Sequence, residues 1–158
     1  MWPGSRLAAR DDFRAVRALG VDLGSRRIGV AVSDPTGTLA SPYEVVERSG
    51  DIGADHRRLV GLAAELGVER IVVGLPLSLD GSLGPAARAV LAEVEELAAT
   101  TEVPVETYDE RLTTVTAERS LRERGVKGRD RRQVVDMAAA AVLLQAWLDG
   151  RPPPPTRS

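Results

Sequence analysis

No cysteine occurs among the 158 residues, which excludes disulfides and thiolate metal sites. Histidine occurs once, at His56, so a zinc site built on imidazoles is excluded as well. Any metal must therefore be held by oxygen ligands, and those favour Mg²⁺ or Mn²⁺. An excess of charge of one sign is missing too. Against 21 Lys and Arg stand 23 Asp and Glu, a formal net charge of −2. Binding to nucleic acid cannot be argued from that global balance, and a basic footprint has to be local. No apolar stretch is long enough without charges to span a membrane. The opening segment "MWPGSRLAARDDFRAV" has no apolar core of a secretory signal. A cytoplasmic protein with no membrane partner is the expectation.

What is present is ordinary for a globular domain: 43% hydrophobic and 28% charged residues. Residues 1–16 read as a flexible lead-in, 17–150 as one compact domain, and 151–158, "RPPPPTRS", as a disordered polyproline tail. "VRALGVDL" and "RRIGVAVSD" read as two strands joined by a tight "GSRR" turn. "TLASPYEVVE" reads as a third strand, which Pro42 confines to an edge or a bulge. The spacing of Leu59, Leu62, Ala63 and Leu66 predicts a helix closed by Gly67. "RIVVGLP" reads as a buried strand. A helix begins near Pro85, a proline suited to a first turn. "VPVETYDE" reads as another strand, and Thr113 or Thr114 is a candidate cap for a helix "VTAERSLRERG". "VKGRDRR" reads as a flexible basic connection, followed by a strong final helix with Asp130 as candidate cap. Three strands followed by strands alternating with helices predict an α/β domain. Its five-stranded sheet is mixed, an antiparallel meander followed by parallel strands, flanked by helices.

Three acids do not suit these surroundings. Asp22 lies inside an apolar strand, where a lone carboxylate is expensive to bury. Alternation puts Leu19, Val21 and Leu23 on one face, and Gly20, Asp22 and Gly24 on the other. The small neighbours leave room over the strand for a ligand or for another backbone. The competing explanation is a carboxylate that caps the Gly-Ser turn. Asp109 and Glu110 follow an apolar strand directly, where functional groups of α/β sheets gather. Taken alone, a surface loop with a Glu-Arg pair, worth little energetically, is the better explanation of them. Asp136 shares a helical face with Ala140, Leu143 and Trp147, an unusual place for a carboxylate unless it complements the helix N-terminus. Together the three suggest a cluster that needs cations. An all-oxygen acidic cluster suits Mg²⁺ or Mn²⁺, and two such ions ~4 Å apart can activate a water for phosphodiester cleavage.

Four blocks, "GVDLGSRRIGVAVSD", "IVVGLPLSLDGSLGPAA", "YDERLTTVTAE" and "VVDMAAAAVLLQAWLD", resemble in order the motifs of the YqgF/RuvX family. Those bacterial proteins are pre-16S ribosomal RNA nucleases, also described as Holliday junction resolvases. The resemblance runs over residues 17 to 149. It implies an RNase H-like fold in which a strand-1 aspartate, an acid after a later strand and a final-helix aspartate bind divalent metal. Carried over residue by residue, these are Asp22, Glu110 and Asp136, with Asp109 the less certain neighbour of Glu110. The arginine-rich approach to the last helix, the long lead-in and the proline tail depart from the family pattern.

A local basic stretch supports a nucleic-acid substrate. Residues 118–132, "ERSLRERGVKGRDRR", hold seven Lys and Arg against three acids. Arg122, Arg124, Lys127, Arg129, Arg131 and Arg132 are candidate phosphate contacts, joined by Arg26 and Arg27 in the turn after Asp22. A solvated helix face and an exposed turn are the plain alternatives. "GLPLSLDGSLG" can approach a substrate backbone but lacks the Lys-Ser/Thr of a nucleotide loop. Tyr108 and Trp147 read as core.

The expected activity is metal-dependent phosphodiester hydrolysis in the processing of the pre-16S rRNA 5′ end. One alternative is resolution of four-way DNA junctions, which would call for a dimer. Monomer and homodimer both remain open. Another is a non-catalytic RNA-binding assembly factor of the small ribosomal subunit. A third, an ATPase of the sugar-kinase/Hsp70 type suggested by "VDLGSRRIG", needs two such domains, and the chain has length for one.

Overall fold

The computed structural model describes residues 16–113 and 129–151, with residues 129–134 described by their backbone course alone. Residues 1–15 of the lead-in, residues 152–158 of the proline tail, and the candidate helix after Thr113 with Thr114 as its alternative cap lie outside the described residues.

Strands β1 (Ala18–Leu23), β2 (Arg27–Ser33) and β3 (Ala40–Glu47) come first. They are followed by helix α1 (Ile52–Leu66), strand β4 (Arg70–Leu75), helix α2 (Pro85–Ala99), strand β5 (Val105–Asp109), a 3₁₀ turn over Glu110–Leu112, and helix α3 (Arg129–Asp149). The sheet order is β3-β2-β1-β4-β5. β1 pairs antiparallel with β2 and β2 with β3, whereas β1 with β4 and β4 with β5 are parallel. The mixed five-stranded sheet expected of an antiparallel meander followed by parallel strands is therefore present. β3 is an edge strand, and the register slips between Val30 and Ala31, opposite Pro42. That is where a residue without an amide N–H is tolerated.

Local chemistry sets the helix ends. Asp51 caps α1 by accepting from the Ala54 amide, and Gly67 closes it at φ +63°, the left-handed conformation that glycine adopts without strain. Pro85 sits in the first turn of α2. One expectation is corrected at α3. The helix already includes Arg129 and Asp130, so Asp130 is not its cap, and the end of "VKGRDRR" is helical rather than connecting chain.

The two sheet faces differ in residue size, and this decides what packs on each. Leu19, Val21, Ile28, Val30, Ile71 and Val73 point to one face and form the main core with Leu59 and Leu62 of α1 and Val90, Val94 and Leu97 of α2. The opposite face carries Ala18, Ala31 and Val72, which pack with Ala140, Leu144, Trp147 and Leu148 of α3. Its strand glycines let α3 come very close. A Cβ on Gly20 would stand 2.7 Å from the Leu144 Cβ, and one on Gly29 would stand 2.2 Å from the Asp136 carbonyl oxygen. The room over β1 is thus taken at Gly20 by another backbone, one of the two possibilities that its small side chains left open.

α3 is tied down along its length. The Gln145 carboxamide accepts from the Ala40 amide at 2.9 Å and donates to the Thr38 carbonyl at 3.0 Å. The Trp147 indole N–H donates to Glu106 on β5, and the Arg151 guanidinium lies 4.7 Å from the Trp147 ring centroid. No helix among the described residues is long and apolar enough to cross a membrane.

Candidate active site

α3 meets the sheet first at Gly29 and further along at Gly20. Gly29 pairs with Asp22 near the carboxyl end of β1. The start of α3 therefore lies at the sheet edge where β1, β4 and β5 all end, the edge at which functional groups of parallel sheets collect.

Each of the three acids is placed here by a different element. Asp22 is buried, at 7% exposure, on the small-residue face of the central strand. Glu110 is buried, at 9% exposure, in the 3₁₀ turn that follows β5. Its carboxylate lies over β4, where a Cβ on Gly74 would stand 2.6 Å from Oε1. Gly74 directly follows Val73, the partner of Val21. Asp136 comes from α3, with its backbone against Gly29 on the other side of β1. The two glycines flank Asp22, one on each neighbouring strand. Glu110 occupies the first of these clearings and the Asp136 backbone the second.

The Glu110 turn is firmly made. Asp109 caps it by accepting from the Arg111 amide at 2.9 Å, and the Thr113 hydroxyl donates to the Glu110 carbonyl at 2.8 Å. Arg111 grips the Asp109 carboxylate at 2.7 Å and reaches the Leu79 carbonyl at 3.3 Å. The hydrogen bond from Arg111 holds the Asp109 carboxyl below its usual pKa, against weaker desolvation, and Asp109 in turn raises that of Arg111. Asp109 thus serves the turn, while Glu110 is the acid presented to the sheet edge. Gly81, at φ +88°, packs against the Arg111 guanidinium. The loop "LSLDGSLG" is thereby fastened beside the site.

The basic candidates separate. Arg26 is exposed. Arg27 is not a free surface cation, because its Nε donates to Asp136 Oδ2 at 2.9 Å with both side chains mostly buried. Arg122, Arg124 and Lys127 lie outside the described residues. Arg129, Arg131 and Arg132 lie on the first turns of α3, which puts their backbone at the same sheet edge as the acids. Tyr108 and Trp147 pack in the core.

Among the described residues, no three His, Asp or Glu side chains are drawn together tightly enough to hold a metal, and Asp136 is engaged by Arg27. The donor chemistry nonetheless fits a hard cation. All three groups are carboxylates, two of them are buried, and one fills a clearing that a methyl group would close.

A polar network under the β1–β2 turn was not singled out from the sequence. Arg48, just past β3, donates to the Gly24 carbonyl at 2.9 Å and holds Glu93 of α2 through two bonds of 2.6 and 2.9 Å. His56 of α1, 1% exposed, bonds the same carboxylate at 2.9 Å, and Asp55 accepts from the Ser49 amide at 3.1 Å. Burial opposes the charge on Glu93, yet the bonds from Arg48 and His56 outweigh it and lower its pKa. This network fixes the turn that carries Arg26 and Arg27. In sequence its members are scattered over positions 48 to 93, so no local motif announces them. Gly29 and Gly74 did carry a readable signal, a glycine inside an apolar strand, which marks close approach.

A family model described as "RuvX: Holliday junction resolvase" matches residues 16–150. A pre-16S rRNA nuclease of Mycobacterium ulcerans is 49% identical over 136 residues, covering 85% of this chain and 79% of its own. A relative of the same name from Rhodococcus erythropolis is 48% identical over 145 residues, covering 89% and 82%. Among solved structures, Thermus thermophilus RuvC superimposes with a TM-score of 0.53 at 20% identity, covering 84% of this chain and 93% of that one. The same protein in complex with a Holliday junction gives 0.52 at 19% identity, covering 86% and 95%. At those identities the likeness speaks for the RNase H-like fold alone.

Proposed function

The chain belongs to the RuvX family, and on that premise we propose that it is a metal-dependent nuclease that hydrolyses phosphodiester bonds in the maturation of pre-16S ribosomal RNA. The observation that carries the reading is the placement of Asp22, Glu110 and Asp136. Three separate elements bring them to the carboxyl edge of the parallel strands, with strand glycines clearing space beside the central one. Asp22, Glu110 and Asp136 would hold one or two Mg²⁺ or Mn²⁺ ions. When bound, such ions supply an activated water and charge stabilisation for an in-line displacement at phosphorus.

The chain's own residues do the rest. Burial of Asp22 and Glu110 keeps both carboxylates in a low-dielectric setting, where their attraction for a divalent cation would be stronger than in water. The Asp109–Arg111 pair holds the Glu110 turn in one geometry. Arg26 and the basic residues Arg122, Arg124, Lys127, Arg129, Arg131 and Arg132 bind flanking phosphates without reading sequence. No histidine base is needed, and His56 is committed to Glu93 away from these acids.

The test is cleavage of two labelled substrates, a pre-16S 5′-leader RNA and a synthetic four-way DNA junction, in Mg²⁺ or Mn²⁺. Asp22→Asn and Asp136→Asn proteins run beside the wild type. RNA cleavage that falls by about a hundredfold or more in both variants is expected, the scale of removing one preorganised charged group. Junction cleavage with the same dependence, and none of the RNA, replaces the ribosomal substrate with branched DNA. A wild type that cuts neither substrate, while binding RNA as well as the variants do, overturns the catalytic reading in favour of an RNA-binding assembly factor.

A further inference from the structure

Resting on that metal-site reading, we propose that Arg27 is a built-in counter-ion that competes with the divalent cation for Asp136. Its displacement would then be a step in loading the site. Four observations lead there. The Arg27 Nε to Asp136 Oδ2 bond is 2.9 Å long, and the two side chains are only 16% and 19% exposed. A mostly buried charge-assisted bond is stronger than a surface ion pair and does not dissociate freely. The Asp136 backbone lies close against Gly29 of the neighbouring strand, so the point from which its carboxylate extends is fixed and only the side-chain torsions can move it. Finally, among the described residues the three acids do not form a metal-binding group, and the hydrogen-bond partner of Asp136 is Arg27.

The chemistry follows from charge. Carboxylates brought to one edge repel one another unless a cation intervenes. Arg27, the first residue of β2, supplies one positive charge from within the chain. A divalent ion supplies two and bonds the oxygens directly, so it can displace the guanidinium, but its affinity is reduced by what the Arg27 bond contributes. A substrate phosphate offers Arg27 an alternative anionic partner, one that the guanidinium fork can also grip with two bonds. Phosphate binding and metal binding therefore favour each other, and by linkage the coupling is equal in both directions. Arg27 acts through Asp136 and is a positioning residue in this sense, quite apart from any contact it makes with substrate.

The experiment is Mn²⁺ binding to the full chain without nucleic acid, by titration calorimetry or by loss of the free-ion EPR signal. Wild type, Arg27→Gln, Arg26→Gln and Asp136→Asn are compared, each checked for an unchanged thermal midpoint. Arg26→Gln removes the same charge one residue away and from an exposed side chain, so it measures the general electrostatic effect. The expected result is about tenfold tighter Mn²⁺ binding in Arg27→Gln, about 1.4 kcal/mol, with less than about a twofold change in Arg26→Gln and weakened binding in Asp136→Asn. Equal affinity in wild type and Arg27→Gln, or an equal gain in Arg26→Gln, overturns the competition while leaving the metal site standing. Weaker binding in Arg27→Gln overturns it too, since Arg27 would then be orienting Asp136 for the ion. If neither wild type nor Arg27→Gln takes up Mn²⁺, the metal reading itself falls and the competition with it.

Discussion

A side chain at position 74 would collide with the carboxylate of Glu110, because the Cβ of any residue there would lie 2.6 Å from Oε1. Gly74 stands on β4 with no need of an unusual backbone angle, since its φ is not positive. Its glycine is required by what lies above it. The contact is with the end of a side chain and not with backbone, so Gly74→Ala can be accommodated by moving Glu110. We expect a folded protein with a thermal midpoint within a few degrees of wild type and nuclease activity reduced by at least about tenfold. A 1 Å misplacement of a reacting group has effects of that order or larger. Cleavage rate against melting temperature checks it.

At Gly29 the opposite outcome is expected. There an added Cβ would meet the Asp136 carbonyl oxygen at 2.2 Å and its carbon at 2.7 Å, and the α3 backbone has no side-chain torsion with which to yield. Gly29→Ala should push the helix off the sheet and lower stability by about 2–3 kcal/mol, the upper part of the range of about 1–3 kcal/mol for overpacking a well-filled core. Urea unfolding of the two alanine variants side by side separates a site defect from a packing defect.

The Arg48–Glu93–His56 network leads to a prediction about stability alone. Glu93→Gln removes the charge that Arg48 and His56 both address and leaves a mostly buried guanidinium with only the longer 3.9 Å contact to Asp55. Breaking a buried pair from one side costs about 3 kcal/mol. Retained cleavage below the new melting temperature would place the network beneath the turn and outside the chemistry.

Acid should destabilise the fold early. Burial opposes the charge of Glu93, but Arg48 and His56 lower its pKa overall. Asp34 is lowered further, first by the Leu39 amide and then by the Thr36 hydroxyl and Thr38 amide of its own loop. A depressed folded pKa means the unfolded chain binds protons first. The stabilisation is complete above the ordinary carboxylate range of about 4 and is lost as pH falls through the lowered folded values. The melting temperature should hold from neutral pH to about 5 and then fall, and Glu93→Gln should flatten that slope. A wild-type slope unchanged in the variant would remove Glu93 from the account.

Arg111 is exposed and its pair with Asp109 contributes little to folding. Its weight lies in holding the Glu110 turn and the Leu79 carbonyl together. Arg111→Lys keeps the charge but not the planar fork that grips both Asp109 oxygens. A fall in kcat with KM and melting temperature close to wild type is the expected result, and a rise in KM alone would count against the positioning role.

Much of this was open to inspection in the amino-acid string. The alternation of Leu19, Val21 and Leu23 with Gly20, Asp22 and Gly24 contains the two-faced central strand, because side-chain direction in a strand depends only on parity. Pro42 marks the edge strand, since proline cannot join a ladder on both sides. Asp51, Gly67 and Pro85 mark helix ends through local hydrogen bonding and φ, which neighbours in sequence control. The oxygen-only donor set was settled by the absence of cysteine and the single histidine. What the string could not contain was anything that depends on distance across the fold. That Arg27 meets Asp136, 109 positions away, that Glu110 settles over Gly74, and that Arg48, His56 and Glu93 share one carboxylate are products of three elements docking at once. The start of α3 was misjudged for the same reason. Its first turn contains arginines and an aspartate that read locally as connecting chain, and packing of the later apolar stripe against Gly20 and Gly29 carries the helix back through them, since most helical stability comes from tertiary contact and not from propensity.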